Sequence, residues 1–246
     1  MPEEQNQEKT KATKPATITK NDFIELEFTG RTGDQIFDTT NPKEAEKIGI
    51  QEPKDIKPLI ISVGHEMMLK GLDEQLEGKE LNKEYTIHIK PDKAFGPRNP
   101  QLIRTYGLAN FTKNNINPYP GMSLQLDNQI AKILSVSGGR VTVDFNNPMA
   151  GKEVDYTYKI NKLITDNKEK IEALQDFFFK QQFKFIIKNK KVIFNNSEIK
   201  PIMEMLQPKF KEMTGFDFQV EETKEKKEET KDSKEEDIKE KPNTKK

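Results

Sequence analysis

Apolar and acidic side chains alternate in Phe23-Ile24-Glu25-Leu26-Glu27-Phe28, the pattern of a half-buried strand. Thr32-Gly33-Asp34 is turn chemistry, and Gln35-Ile36-Phe37 begins a return strand. Pro42 to Ile48 predicts a short helix, with proline in the first turn where its missing N–H costs nothing. Pro53 and Pro58 bound a loop, and Leu59-Ile60-Ile61-Ser62-Val63 is an apolar run of strand length. Met68, Leu69, Leu72 and Leu76 recur at helical spacing, with Gly78 placed as a C-terminal cap. Along the next strand Tyr85, Ile87 and Ile89 point one way, while Thr86, His88 and Lys90 point the other.

Pro97 to Pro100 interrupts this pattern, and residues 98–146 carry an apolar set of their own. Asp127-Asn128 and Gly138-Gly139 are hairpin turn signals, so a small β-rich domain is expected, with one short helix near Leu108–Lys113. Tyr156 to Ile164 returns as an alternating strand. Residues 165–220 read as a third unit, in the order helix, strand, strand, helix, strand. Asp166 caps a helix over about 167–179. A hairpin turns at Asn189. Ser197 caps a second helix, bent or broken at Pro208 and ended by Gly215. Residues 1–17 are expected to be a disordered tail. Residues 221–246, mixed Glu and Lys without apolar periodicity, are expected to be a solvated tail or a fraying single helix.

Composition narrows the function. Lys plus Arg (41) balances Asp plus Glu (41), so there is no basic excess and no nucleic-acid partner is expected. The absence of cysteine excludes disulfides, thiol nucleophiles and thiolate metal sites and fits a reducing compartment. Met1-Pro2-Glu3-Glu4-Gln5 has no apolar core or basic region, so no signal peptide is expected. No apolar run approaches the roughly 20 residues that span a bilayer. The expectation is a soluble cytoplasmic protein with no membrane partner.

Conventional catalytic chemistry is poorly supported. The two histidines, His65 in a turn and His88 on a polar strand face, are not at ligand spacing. Both read as surface residues, and no metal or other cofactor is expected. The abundant carboxylates mark no dyad, and Gly138-Gly139 lacks the lysine of a phosphate loop.

Four short words change this picture. They are Gln35-Ile36-Phe37-Asp38-Thr39, Gly71-Leu72-Asp73-Glu74-Gln75-Leu76-Glu77-Gly78, Pro91-Asp92-Lys93-Ala94-Phe95-Gly96, and Val143-Asp144-Phe145-Asn146-Asn147-Pro148-Met149-Ala150-Gly151-Lys152. In this order, with a separate segment between the third and fourth, they resemble the FKBP family of peptidyl-prolyl isomerases. The nearest resemblance is to the SlyD-type branch with its inserted chaperone domain, in the long archaeal form.

The resemblance implies an α+β fold: an antiparallel half-barrel sheet around one helix, with an inserted β-rich flap domain and a small C-terminal α+β domain. It divides the chain into an isomerase domain (18–97 plus 147–164), an insert (98–146) and the C-terminal domain (165–220). The resemblance also places pocket residues on Phe28, Phe37, Asp38, Met68, Leu69, Leu72, Phe95 and Tyr156, with Leu59 or Ile61 on the strand after Pro58. Leu102, Tyr106, Phe111, Tyr119 and Met122 become candidates for the insert's client surface, although a domain of about fifty residues needs most of its apolar side chains for its own core. Phe28 and Phe95 lack the hydroxyl usual at their places in the family, and Leu72 is smaller than the tryptophan often found there.

Prolyl isomerisation removes the objection from missing acid–base groups. No bond breaks and no proton must move; the barrier of about 18–20 kcal/mol is loss of amide resonance. An apolar pocket favours the twisted, less polar amide by desolvating it. The expected function is therefore prolyl isomerisation with chaperone character. Its partners are unfolded or nascent polypeptides carrying X–Pro bonds, and the protein acts as a monomer. A non-catalytic holdase is the alternative, and a scaffold that docks a partner such as the ribosome through 165–220 is a third reading.

Overall fold

The computed structural model describes residues 17–50, 56–126 and 128–221. Most of both expected tails, Pro53 and Asp127 lie outside them. The two inner ends of the expected tails are structured. Thr17 forms an antiparallel bridge with Glu80, and the Glu221 N–H donates to the Phe194 carbonyl at 2.9 Å.

The main sheet is built on β1 (Phe23–Thr32). One side of β1 pairs with β9 (Val154–Ile164), from Phe23 against Ile164 to Arg31 against Asp155. The other side is shared: β3 (Leu59–Ser62) takes Phe23–Leu26, and β2 (Gln35–Thr39) takes Thr29–Thr32. β4 (Glu84–Ile89) closes the far side of β9, and every pairing is antiparallel. The short helix α1 (Pro42–Lys47) is capped by the Asn41 side chain, which accepts from the Lys43 and Glu44 N–H groups.

Helix α2 (Lys70–Leu76) covers the sheet and buries Gly71, Leu72, Asp73 and Leu76. Met68 and Leu69, expected in the helical stripe, lie before it in the approach segment. Gly71 permits the close approach: a Cβ there would lie 2.4 Å from Ile89 Cγ2. The buried Asp73 carboxylate accepts from the Gly64 and Glu66 N–H groups at 2.9 and 2.8 Å and so fixes the loop leading into its own helix. Tyr158 donates its hydroxyl to the Gln75 carbonyl at 3.4 Å, tying β9 to α2.

A second sheet has the order β5 (Ile103–Gly107), β8 (Arg140–Asp144), β7 (Gln129–Ser137), β6 (Ser123–Leu126). With α3 (Leu108–Thr112) it encloses Phe111, Ala131, Ile133, Val141 and Val143.

The third sheet joins β10 (Phe185–Lys188), β11 (Lys191–Phe194) and β12 (Asp217–Val220). The β11–β12 pair is parallel, which requires a crossover, and α5 (Lys200–Thr214) supplies it. α4 (Asn167–Phe179) is capped by Asp166, as the sequence predicts. Two details differ from expectation. The capping side chain before the second helix is Asn196, which accepts from Glu198; Ser197 opens a 3-10 turn over Ser197–Ile199. Of the bend or break expected at Pro208, the break does not occur: α5 runs on through it, because burial of Met203, Phe210 and Met213 outweighs one missing hydrogen bond.

The core of this C-terminal unit is continuous with that of the main sheet: Ile171, Leu174, Val192, Phe194, Phe210 and Phe218 belong to the same apolar cluster as Phe23, Leu26, Ile61 and Leu72. Lys170 Nζ lies 5.6 Å from the centre of the Phe23 ring, and Lys20 pairs with Glu212 at 3.1 Å.

His65 sits near this junction and is buried, contrary to its reading as a surface residue. Its Nε2 lies 2.7 Å from Asn21 Oδ1. The turn around Gly64 folds the ring inward, a tertiary choice that periodicity does not record. His88 is exposed, with Nδ1 2.8 Å from Asp155.

Burial holds the His65 imidazole below its ordinary 6.5; Glu212 and Asp73 oppose this and Lys20 and Lys209 reinforce it. The unfolded chain thus binds a proton near pH 6.5 that the folded chain refuses. Stability from this site is complete above that pH and declines as pH falls through 6.5 toward the folded value. A plot of Tm against pH from about 7.5 to 5 should therefore be flatter for His65→Gln than for the parent. Identical slopes would deny His65 this role. Phe210→Ala should cost about 3–5 kcal/mol and lower a single transition reported by both the main sheet and the C-terminal unit in denaturant; two separated transitions would show that the cores are not one.

Candidate active site

One face of the main sheet gathers four aromatic rings. β1 brings Phe28, β2 brings Phe37, and β9 brings Tyr156. Phe95 comes from the turn after β4, where the Gly96 N–H closes back onto the Pro91 carbonyl at 2.7 Å. Tyr156 lies 5.7 Å from Phe28 and 5.8 Å from Phe37 between ring centres. Phe37 in turn meets Phe95 at 5.6 Å, edge to face. The backbone of Phe28 is pinned by Thr40, whose hydroxyl accepts from the Phe28 N–H at 2.8 Å and whose own N–H donates to the Phe28 carbonyl at 2.9 Å.

Gly30 makes this wall possible. On β1 it pairs with Asp38 on one side and with Tyr156 on the other. A Cβ at Gly30 would lie 2.8 Å from the tip of the Phe37 ring and 3.0 Å from that of Tyr156. Both rings close over the strand only because that carbon is absent. Sequence reasoning gave Gly30 no role, because nothing local marks which rings will close over it. Ile87, half-buried on β4 and paired with Tyr156, was placed on its strand but not beside the pocket.

Asp38 stands at the edge of the wall. Its residue surface is largely exposed, yet the rings beside it desolvate the carboxyl and raise its pKa above the ordinary value, against the pull of the Thr39 backbone N–H. Burial, and then the charge of Asp38, hold the Tyr156 hydroxyl well above the ordinary tyrosine range. Tyr156 therefore keeps its proton, and it carries the one hydroxyl among the four rings.

The remaining positions separate by exposure. Met68, Leu69 and Leu59 are half-buried against the same core. Ile61 and Leu72 have no accessible surface and belong to the core cluster that also holds Phe28 and Tyr156, so neither is open to a ligand. In the insert Leu102, Tyr106 and Met122 are half-buried and Tyr119 is exposed. Phe111 is 3% exposed and belongs to the core; its ring packs edge-on against Tyr106 at 6.3 Å, so it is not a surface side chain. The most exposed apolar residue of the insert is Ile130, at 74%. With Leu134 it lines a groove of about 530 Å³ that Arg98, Asn147 and Pro148 complete. The period-2 pattern of β7, with Ala131 and Ile133 inward, is the signal that separates these two from the core set. Among the described residues no three His, Asp or Glu side chains cluster to hold a metal.

Residues 14–112 match the family profile of FKBP-type peptidyl-prolyl cis-trans isomerases, and residues 107–149 match the FKBP26 IF domain. A short-type peptidyl-prolyl cis-trans isomerase of Methanocaldococcus jannaschii is 30% identical over 144 residues, 58% of this chain and 92% of that protein. The chain belongs to the FKBP-type peptidyl-prolyl cis-trans isomerase family. The FKBP-type 16 kDa isomerase of Escherichia coli is 28% identical over 109 residues, 42% of this chain and 72% of that one. The SlyD isomerase of Haemophilus influenzae is 21% identical over 156 residues, 58% and 70% of the two chains. The expected α+β fold with antiparallel sheets is that of an FKBP carrying extra domains.

The packing at Gly30 gives a direct check on the wall. Gly30→Ala should lower kcat/KM on a short proline peptide by about tenfold through displaced rings. Tm should move by only a few degrees, because a ring tip gives way more cheaply than backbone. In a Phe37→Leu background the same change should cost less, because only the Tyr156 contact at 3.0 Å remains. Equal losses in both backgrounds would show that Phe37 takes no part in its effect.

Proposed function

We propose that Phe28, Phe37, Tyr156 and Phe95 hold the proline ring of an X–Pro segment while Asp38 and the Tyr156 hydroxyl stand at the polar edge. The observation that carries this is the continuous ring wall closed over Gly30, in a chain of this family. The amide meets few water molecules there, which disfavours the polar planar ground state relative to the twisted transition state. A thousandfold acceleration needs only about 4 kcal/mol of such preference. Met68, Leu69 and Leu59 extend the apolar rim, with Leu72 and Ile61 as backing.

The substrates are polypeptide clients. The finer reading is that Ile130, Leu134 and Tyr119 of the insert hold unfolded chain and raise the local concentration of prolyl bonds near the pocket. Leu102, Tyr106 and Met122 are half-buried, and Tyr106 and Met122 pack against the insert's own core. The same reading has the protein act as a cytoplasmic monomer, and zero cysteines fit a reducing compartment. Ribosome docking through residues 165–220 rests on the exposed Ile202 and Met205 of α5. One observation favours a second reading, a holdase without useful catalysis: neither Phe28 nor Phe95 has a hydroxyl.

At catalytic concentration the protein should accelerate a proline-limited refolding reaction. Asp38→Ala combined with Phe95→Ala should abolish that acceleration and leave suppression of client aggregation intact. An unaltered refolding rate with the parent protein, alongside aggregation suppression, would leave the holdase.

A further inference from the structure

The two added units are attached by different physics. The C-terminal unit shares one apolar core with the main sheet. The insert does not: its cluster around Phe111, Ile133 and Val143 has no residue in common with the larger one. Its principal element contacts are within itself. Apolar burial therefore does not set the bearing of the insert on the pocket. Something at the two crossing segments must do so.

Those segments are laced by polar groups. The chain enters the insert at Arg98 and Asn99 and leaves it at Asp144 to Asn146. Asn146 Oδ1 accepts from the Asn99 N–H at 2.8 Å, while its Nδ2 donates to the Asn99 carbonyl at 3.0 Å and to Asp144 Oδ1 at 2.7 Å. Its backbone N–H donates to the same Asp144 oxygen at 2.9 Å. The other Asp144 oxygen pairs with the Arg98 guanidinium. The Asn146 amide thus spends its acceptor and both donors on the opposite segment and its own acid, as a rung of ladder would. Asp144 and Asn146 are only 8% and 9% exposed, so water does not compete well for these bonds. Burial alone would raise the Asp144 carboxyl, but the Asn146 donors and Arg98 outweigh it and hold the pKa below the ordinary value. One turn outward the Gly151 N–H donates to the Gly96 carbonyl at 2.8 Å, directly beside Phe95. The clasp therefore runs from the insert to the pocket wall. Arg98, Asp144 and Asn146 also line the groove that exposes Ile130 and Leu134.

We propose that Asn146, with Asp144 and Arg98, is a positioning residue for isomerisation of long clients: the clasp holds the insert at a fixed bearing to the pocket, so that chain held in the groove presents its prolyl bonds to the ring wall. This rests on the reading that the insert holds client. It concerns delivery, not the pocket's own chemistry. Loosening the clasp lowers the effective concentration of a tethered prolyl bond at the ring wall.

The test uses the full chain with two substrates, a short proline peptide and an unfolded, proline-limited client, together with anisotropy of that client labelled at one end. For Asn146→Ala, kcat/KM on the peptide should stay within about twofold, while kcat on saturating client falls about tenfold; because Asn146 also lines the groove, a loss confined to client affinity, with kcat on saturating client kept, would overturn the proposal. Arg98→Ala, at a half-exposed ion pair, should shift the same split by about threefold and stands in if the first variant folds poorly. Parallel loss on peptide and client would assign these residues a merely structural role and overturn the proposal, as would undiminished client turnover in both variants. If the parent protein failed to bind the labelled client, the underlying reading would fall first, and that outcome is read independently of either variant.

Discussion

Hydrogen bonding along both sides of β1 is the constraint on which the rest depends. One side belongs to β9; the other is divided between β3 and β2. Antiparallel register then leaves no freedom about which residues meet. Gly30 lies between Asp38 and Tyr156, and Ile87 lies beyond Tyr156 on β4. A slip of β1 by one residue would turn Phe28 and Gly30 to the opposite face, away from Tyr156. Phe28, held at both backbone groups by Thr40, is part of the same lattice. The pocket is thus a property of register first and of side-chain type second.

From this sheet the chain carries two appendages with opposite mechanical character. β9 ends at Ile164, and α4 begins three residues later under its Asp166 cap, so the third unit folds back onto β3 and buries its apolar face there. Non-directional apolar burial over many side chains makes a stiff joint. The insert instead leaves and returns through a neck whose bonds are few and directional. Such a joint is specified in angle and opens locally at lower cost than a core.

The chemistry proposed for the ring wall is modest and suits its composition. Four rings, one hydroxyl and one carboxylate supply no nucleophile, and none is needed to rotate an amide. Desolvation by the same rings lifts the Asp38 carboxyl, and the charge of Asp38 in turn helps keep the Tyr156 proton in place. The hydroxyls missing at Phe28 and Phe95 are therefore not the whole account of polar groups at this site, because β9 supplies one from the other direction.

Much of this was legible in the chain. Alternation located β1, β4 and β9; Asp166 and Gly215 marked helix ends; the four words pointed to the family and to the ring positions. These features are local, governed by side-chain period, cap chemistry and short spacing. Other features were not legible, for a common reason. The burial of His65, the unbroken passage of α5 through Pro208, the core role of Phe111 and the ordering of Thr17 each depend on what packs against the residue from distant sequence. Gly30 carries no local signal, because its role depends on Phe37 and Tyr156 closing over it, and Asn146 is only part of a word until Asn99 lies opposite. The sequence by itself determined the elements, the family and the types of side chain available for a pocket without acid–base catalysis. Only the tertiary structure decided which of them share a face and how each added unit is joined, because register and burial are set by partners that the chain brings together only on folding.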